Sequence, residues 1–204
     1  YSMDGDVADL PSLVGLKELY PTVELYVDEA HAIGVRGKTG LGLAEETATI
    51  GKIDYLVGTF GKALASMGAY IVCDNAVREY LINRSRSLIF STALPPATIG
   101  WTELIFRRLP EFVMERKRLE DSATLLRDAI KKKGIEMPSS SHIIPYMVGE
   151  NAPCIALAEH LQDNGFFVLP IRHPTVPLHT ARLRFSLTAA LDTASIYKLI
   201  DILP

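Results

Sequence analysis

The sequence predicts an α/β unit followed by a smaller α+β unit, and three observations carry that reading. Short apolar runs at 25–27, 55–57 and 69–72 alternate with helical periodicity in the first half. A long helical stretch then separates this half from the rest, closing on Lys131-Lys132-Lys133-Gly134. Beyond it the pattern reads strand, helix, strand, strand, helix, the segregated order of an α+β unit. The larger part is expected over 1–110 and the smaller over 111–204, with the border inside the helical region at 111–117.

Taken in order, residues 9–19 set Leu10, Leu13, Val14 and Leu16 behind Pro11, a helix with proline in its first turn. Leu25-Tyr26-Val27 is a buried strand that runs into Asp28-Glu29-Ala30-His31. Functional side chains of doubly wound sheets collect at the carboxyl ends of strands, which makes Asp28 and His31 candidates. Gly34, Gly37, Gly40 and Gly42 match neither a Walker A loop nor a dinucleotide fingerprint. They read as turn formers, with no helix starting from them.

The strand Tyr55-Leu56-Val57 delivers Gly58-Thr59-Phe60-Gly61-Lys62-Ala63. The run at 69–72 returns after a link too short for a parallel crossover, so the pairing is expected to be antiparallel. Residues 77–86 are helical, and Leu88-Ile89-Phe90 reads as a short strand ending in Ser91-Thr92. A helical stretch over 97–133 is broken at Pro110, and its basic end beside Gly134 suits a capped helix C-terminus. A loop at 138–141, a strand at 143–148, a helix at 154–164 stopped by Gly165, strands at 166–171 and 182–187, and a helix at 193–203 complete the chain.

Of the 204 residues, 48% are hydrophobic and 22% charged, enough apolar surface to bury a core. Net charge is −3 with the cations scattered among acids, which argues against nucleic acid or a membrane surface as partner. Cys73 and Cys154 are too few and too isolated for a disulfide framework or a metal site, so a reduced, cytoplasmic setting is expected. No apolar run approaches the roughly 20 residues of a membrane span. The chain opens at Tyr1 without an initiator methionine, and reads as the carboxyl part of a longer protein.

A lysine between glycines at the end of a buried strand is poorly hydrated and suits an amine that condenses with a carbonyl. By itself the tripeptide fits a solvated loop equally well. Pyridoxal phosphate needs a lysine, a carboxylate for its ring nitrogen and donors for its phosphate. Lys62, Asp28, and Thr59 with Ser91-Thr92 offer one of each, and His31 could donate to the phenolic oxygen. Asp28-Glu29-Ala30-His31 also spells a helicase box. That class requires G-x-x-x-x-G-K-[ST] and a basic face, and the sequence has neither.

Five motifs in register then make a specific resemblance: Ser2-Met3-Asp4-Gly5-Asp6, Val27-Asp28-Glu29-Ala30-His31, Gly58-Thr59-Phe60-Gly61-Lys62, Ser91-Thr92-Ala93-Leu94-Pro95-Pro96, and Pro174-Thr175-Val176-Pro177 with Ala181-Arg182-Leu183-Arg184. Together they resemble the α-oxoamine synthases, a family of pyridoxal phosphate enzymes, along nearly the whole chain. The resemblance implies the carboxyl part of a fold-type I transferase large domain followed by a small α+β domain. It implies decarboxylative condensation of an amino acid with an acyl-CoA to an amino ketone, in a homodimer with shared active sites. Lys62 would hold the cofactor and act as the proton-transferring base. Asp28 would pair with the ring nitrogen, His31 and Ser2 would contact the cofactor near its phenolic oxygen, and Thr59 would bind its phosphate. Thr92, or Ser91, would reach the phosphate of the neighbouring subunit's cofactor. Arg184 would clamp the amino-acid carboxylate, with Thr175 near the acyl substrate.

Each assignment has a plainer competitor. Ser2 fits a terminal loop, His31 a packed core, and Arg182 shares a strand face with Arg184, so one of the two fits a structural ion pair. His142, His160, His173 and His179 have no partnered spacing. The family's glycine-rich phosphate segment and ring-stacking histidine lie upstream of Tyr1, which leaves a non-catalytic scaffold as a rival reading. Relatives that use glycine or serine share the same lysine turn.

Overall fold

In the computed structural model, which describes residues 1–204, packing divides the chain into two units, 9–113 and 1–8 with 114–204. The first unit opens with α1 (Leu10–Leu19), whose N-cap Asp9 accepts from the Ser12 amide at 3.1 Å while Leu10 and Val14 are buried. Three strands follow, β1 (Tyr26–Asp28), β2 (Tyr55–Thr59) and β3 (Ala69–Val72), in the sheet order β1-β2-β3. β1 and β2 are parallel with Asp28 opposite Val57, whereas β2 and β3 are antiparallel with Thr59 opposite Ala69. Asp54 holds the entry to both parallel strands, accepting from Lys17 Nζ and from the Leu25 amide, each at 2.7 Å.

The first unit departs from two local expectations. A one-turn helix, α2 (Leu43–Glu46), starts directly after Gly42. No local cap marks it, because its leading amides are received by a distant side chain: Glu29 accepts from Leu43 N at 3.0 Å and from Ala44 N at 2.6 Å. Gly42 (φ +105°) is obligatory beside it, since a Cβ there would lie 2.8 Å from the Glu29 carboxylate. After α3 (Asn75–Arg84), the run Leu88-Ile89-Phe90 is no strand but belongs to α4 (Arg86–Ile89) and its C-cap. Helical hydrogen bonds from Leu88 and Ile89 to Ser85 take the backbone groups that a sheet would need.

α5 (Pro96–Arg108) and a 3₁₀ turn at Leu109–Glu111 close the unit, with Pro110 at the break. Ile33, Leu64 and Leu109 form its buried cluster, flanked by Phe60, Tyr70 and Phe112.

The second unit is built on α6 (Val113–Lys132), which buries Leu119, Ala123, Leu126 and Ile130 at helical spacing. β4 (Ile143–Gly149), β5 (Pro170–Ile171) and β6 (Ala181–Ser186) make an antiparallel sheet in the order β4-β6-β5. α7 (Asn151–Asp163) packs on that sheet, and α8 (Thr193–Ile202) follows it with Asp192 as N-cap. The strand expected over 166–171 is only two residues long. Its Val168 carbonyl is taken by the Gln162 side chain at 2.7 Å and Phe167 faces solvent, so no ladder extends through it.

Residues 1–8, read from the sequence as the front of the larger part, pack instead with 114–204. The Ser140 amide donates to the Gly5 carbonyl at 3.1 Å, and Asp4 pairs with Arg182. No helix is long and apolar enough to cross a membrane.

Candidate active site

Because β1 and β2 are parallel neighbours, their carboxyl ends lie side by side. Asp28 ends one strand and Thr59 the other, and the Glu29 amide continues the pairing to Val57 O at 2.7 Å. The exposed Asp28 carboxylate is oriented by the turn it begins, with Oδ1 accepting from Ala30 N at 2.7 Å. That bond leaves Oδ2 for a ligand. His31 is half-buried in the same turn, which is closed by the Ala32 and Ile33 amides on Glu29 O at 2.8 and 2.9 Å.

The lysine turn is fastened at both ends. Thr59 Oγ1 accepts from Gly61 N at 3.1 Å and donates to Gly68 O at 3.1 Å, while the Ser66 amide returns to Phe60 O at 2.8 Å. From α5, Trp101 Nε1 donates to Ala65 O at 3.0 Å and Thr102 shares a 2.6 Å hydroxyl contact with Ser66. Leu64 is fully buried and anchors the loop. Lys62 itself is exposed, together with Gly61 and Ala63, against the expectation of a poorly hydrated amine. The strand that delivers it ends three residues earlier, and the intervening turn lifts the side chain off the sheet.

Burial shapes two groups beneath this surface. Glu29 is 2% exposed, and desolvation holds its carboxyl above the ordinary range even though the Leu43 and Ala44 amides favour the charged form. Tyr70, half-buried beside Gly58, is pushed up to about 12 by desolvation and by the charge of Glu29. Neither Tyr70 nor the α5 pair Trp101 and Thr102 was a candidate from the sequence. Their spacing from Lys62 carries no periodic signal; the one trace in the sequence is that Trp101 is its single tryptophan.

The remaining candidates divide between the units. Thr92 is exposed in the segment before α5, not at a strand end, and no hydrogen bond joins it to Asp28, Thr59 or Lys62; neighbouring Ser91 donates to Ser87 O. In the second unit, Arg184 donates through Nε to the carbonyl of Ser2. Arg182, 8% exposed at its side chain, pairs with Asp4 and donates through Nε to Thr180 O at 3.0 Å. Thr175 is exposed, its amide bonded to Arg172 O at 2.9 Å, with no hydrogen bond to Arg184. Of the other histidines, His179 meets Glu150 at 2.6 Å on the surface.

The donor set of the first unit fits pyridoxal phosphate. It presents an exposed primary amine on a fastened turn, a carboxylate with one oxygen open on the adjoining strand end, and a threonine hydroxyl at the start of the turn. The chain matches the family model described as aminotransferase class I and II over residues 1–203. A protein provisionally named 8-amino-7-oxononanoate synthase from Glaesserella parasuis serovar 5 (strain SH0165) is 57% identical over 100% of this chain and 54% of its own length. The chain therefore spans about half the length of the curated relatives it matches. Among solved structures, 8-amino-7-oxononanoate synthase from Francisella tularensis is 30% identical with a TM-score of 0.86, covering 99% of this chain and 59% of that one. A serine palmitoyltransferase from Sphingomonas wittichii is 28% identical with a TM-score of 0.90, covering 98% and 51%. Two other matched serine palmitoyltransferase structures carry pyridoxal phosphate, one as the internal aldimine and one, from S. paucimobilis, as an aldimine with myriocin.

Proposed function

We propose that this chain, which belongs to the class I and II aminotransferase family, is the lysine-bearing part of an 8-amino-7-oxononanoate synthase that condenses L-alanine with pimeloyl-CoA in biotin biosynthesis. Its fold is the α/β architecture of fold-type I transferases, and the cofactor of the family is pyridoxal phosphate. The observation that carries the reading is the placement of Asp28 and the Thr59-to-Lys62 turn on adjoining ends of parallel strands. In this reading 9–113 is the carboxyl part of the large domain, and the sheet of β4, β5 and β6 belongs to the small one.

Pyridoxal phosphate supplies a protonated ring that withdraws electrons from the α-carbon of an attached amino acid. Asp28 would keep the ring nitrogen protonated by accepting a charge-assisted hydrogen bond from it at the open Oδ2. Lys62 would hold the cofactor through Nζ, and the same nitrogen would serve as the base that carries the α-proton. His31 and Ser2 are assigned to the phenolic oxygen and Thr92 to the cofactor phosphate of the second subunit. Thr59 has a condition attached to its phosphate role. Its hydrogen is committed to Gly68 O, so donation to a phosphate requires the hydroxyl to turn away from that carbonyl. Arg184 clamps the substrate carboxylate through its terminal nitrogens, and Thr175 is assigned to the acyl chain.

A cytoplasmic homodimer completes the proposal. Leu88, Phe90, Ile99, Trp101 and Leu104, on α4, α5 and the link between them, are each at least 46% exposed, an apolar surface open to a second subunit or to the remainder of the protein. The serine palmitoyltransferase likeness supports a second reading, a serine-using enzyme; a glycine-using enzyme of the 2-amino-3-ketobutyrate CoA ligase type is the remaining variant. The much higher identity to the synthase relatives favours the first. Turnover of alanine, serine and glycine against pimeloyl-CoA, acetyl-CoA and succinyl-CoA tests the choice. Exclusive turnover of alanine with pimeloyl-CoA is expected; preference for serine or glycine would transfer the assignment, and a colourless, inactive protein would favour a scaffold.

A further inference from the structure

We infer that Asp4 and Arg182 are positioning residues for Arg184, acting through the turn at residues 1–6. The inference rests on the reading of Arg184 as the carboxylate clamp, and extends it to how the guanidinium is aimed. The turn is closed by the Gly5 amide on Tyr1 O at 3.0 Å. Gly5 (φ +68°) presses it against the start of β4, where a Cβ would stand 1.9 Å from Ile143 O. Only glycine permits that approach.

Two arginines of β6 then read this turn from alternate positions of one strand. Arg182 stands opposite Met147 and Arg184 opposite Pro145, with buried Leu183 directed to the other face. Arg182 is nearly enclosed, and its charge is answered by Asp4 while its Nε is held by Thr180 O. An enclosed guanidinium without such a partner would be strongly unfavourable, so the Asp4 contact is fixed in place. Two residues before Asp4, the Ser2 carbonyl receives Arg184 Nε.

With Nε so engaged, the terminal nitrogens of Arg184 make no protein hydrogen bond and form an end-on fork for a carboxylate. A free arginine side chain samples many rotamers; one bonded at Nε keeps its fork in a narrow range of directions. The carboxylate of Asp4 fixes the turn, the turn fixes the Ser2 carbonyl, and that carbonyl aims Arg184. This also gives Ser2 a backbone role that its hydroxyl does not share.

The test uses the purified full-length protein labelled with ¹⁵N-arginine, and compares wild type with Asp4→Asn and with the charge-retaining Asp4→Glu. Arg184→Lys identifies the Arg184 Nε–H signal. In Asp4→Asn, exchange of that proton with solvent should accelerate and L-alanine should bind about tenfold more weakly, with pimeloyl-CoA affinity held within about twofold. Asp4→Glu should recover part of both losses. Unchanged exchange and alanine affinity in Asp4→Asn would overturn the inference, as would an equal loss of both substrates, the mark of general loosening. Where Asp4→Asn does not fold, Arg182→Lys replaces it with the same readouts. A wild-type protein that binds no alanine contradicts the function proposed above, and the Arg184 exchange rate still decides the positioning role.

Discussion

The ring of Tyr70 lies directly over Gly58, so close that a Cβ on Gly58 would come within 2.3 Å of the phenol oxygen and 2.4 Å of Cζ. Tyr70 has little room to withdraw, with Phe60 at 5.3 Å and Phe106 at 6.4 Å between ring centroids. Gly58→Ala is therefore expected to destabilise the protein by about 1–3 kcal/mol through overpacking. Urea denaturation of Gly58→Ala alone and with Tyr70→Leu checks this: the second substitution should recover part of the loss, whereas an additive double mutant would place the cost elsewhere.

Asp54 ties the entries of β1 and β2, and its carboxyl lies below the usual 3.8 chiefly because Lys17 donates to it, with the Leu25 amide second. A depressed carboxylate contributes stability above its unfolded value and loses it as pH falls through the lower folded value. Asp54→Asn is expected to lower stability by about 1 kcal/mol at neutral pH. Thermal melts should show that gap closing as pH drops below 3.8.

Glu29 runs with the opposite sign. Desolvation raises its carboxyl above 4.5, so its titration contributes most stability below 4.5 and loses it as pH rises through the folded value. Glu29→Gln leaves one of the Leu43 and Ala44 amides facing an NH₂ group, a loss of about 1–3 kcal/mol. Its deficit relative to wild type should be larger on the acid side than at neutral pH. A deficit that grew steadily with pH would contradict the desolvated carboxyl.

Local chemistry made the strand ends, the antiparallel return of 69–72, the Pro110 break and most helices legible from the sequence alone. α2 was not legible, because its cap comes from Glu29, 14 residues upstream of Leu43. Nor was the helical state of Leu88-Ile89-Phe90, where an apolar triplet is ambiguous between strand and helix until its hydrogen bonds are known. In the candidate site, residue type marked Asp28, Thr59 and Lys62, since their chemistry is carried by the motif. The anchors Tyr70, Trp101 and Thr102 are fixed by tertiary packing, to which no short pattern corresponds. The bond between Arg184 and Ser2 joins positions 182 apart, and only folding brings them together.

The proposed function depends above all on Lys62 being the amine that holds pyridoxal phosphate. Its most direct test is borohydride reduction of the purified protein after incubation with pyridoxal phosphate, followed by mass mapping of the modified lysine, in wild type and in Lys62→Ala. A single reduced adduct on Lys62 is expected in wild type, and in Lys62→Ala the loss of that adduct together with the cofactor absorbance near the visible edge. A Lys62→Ala protein that kept a reducible covalent cofactor, or a wild-type adduct on a different lysine, would contradict it.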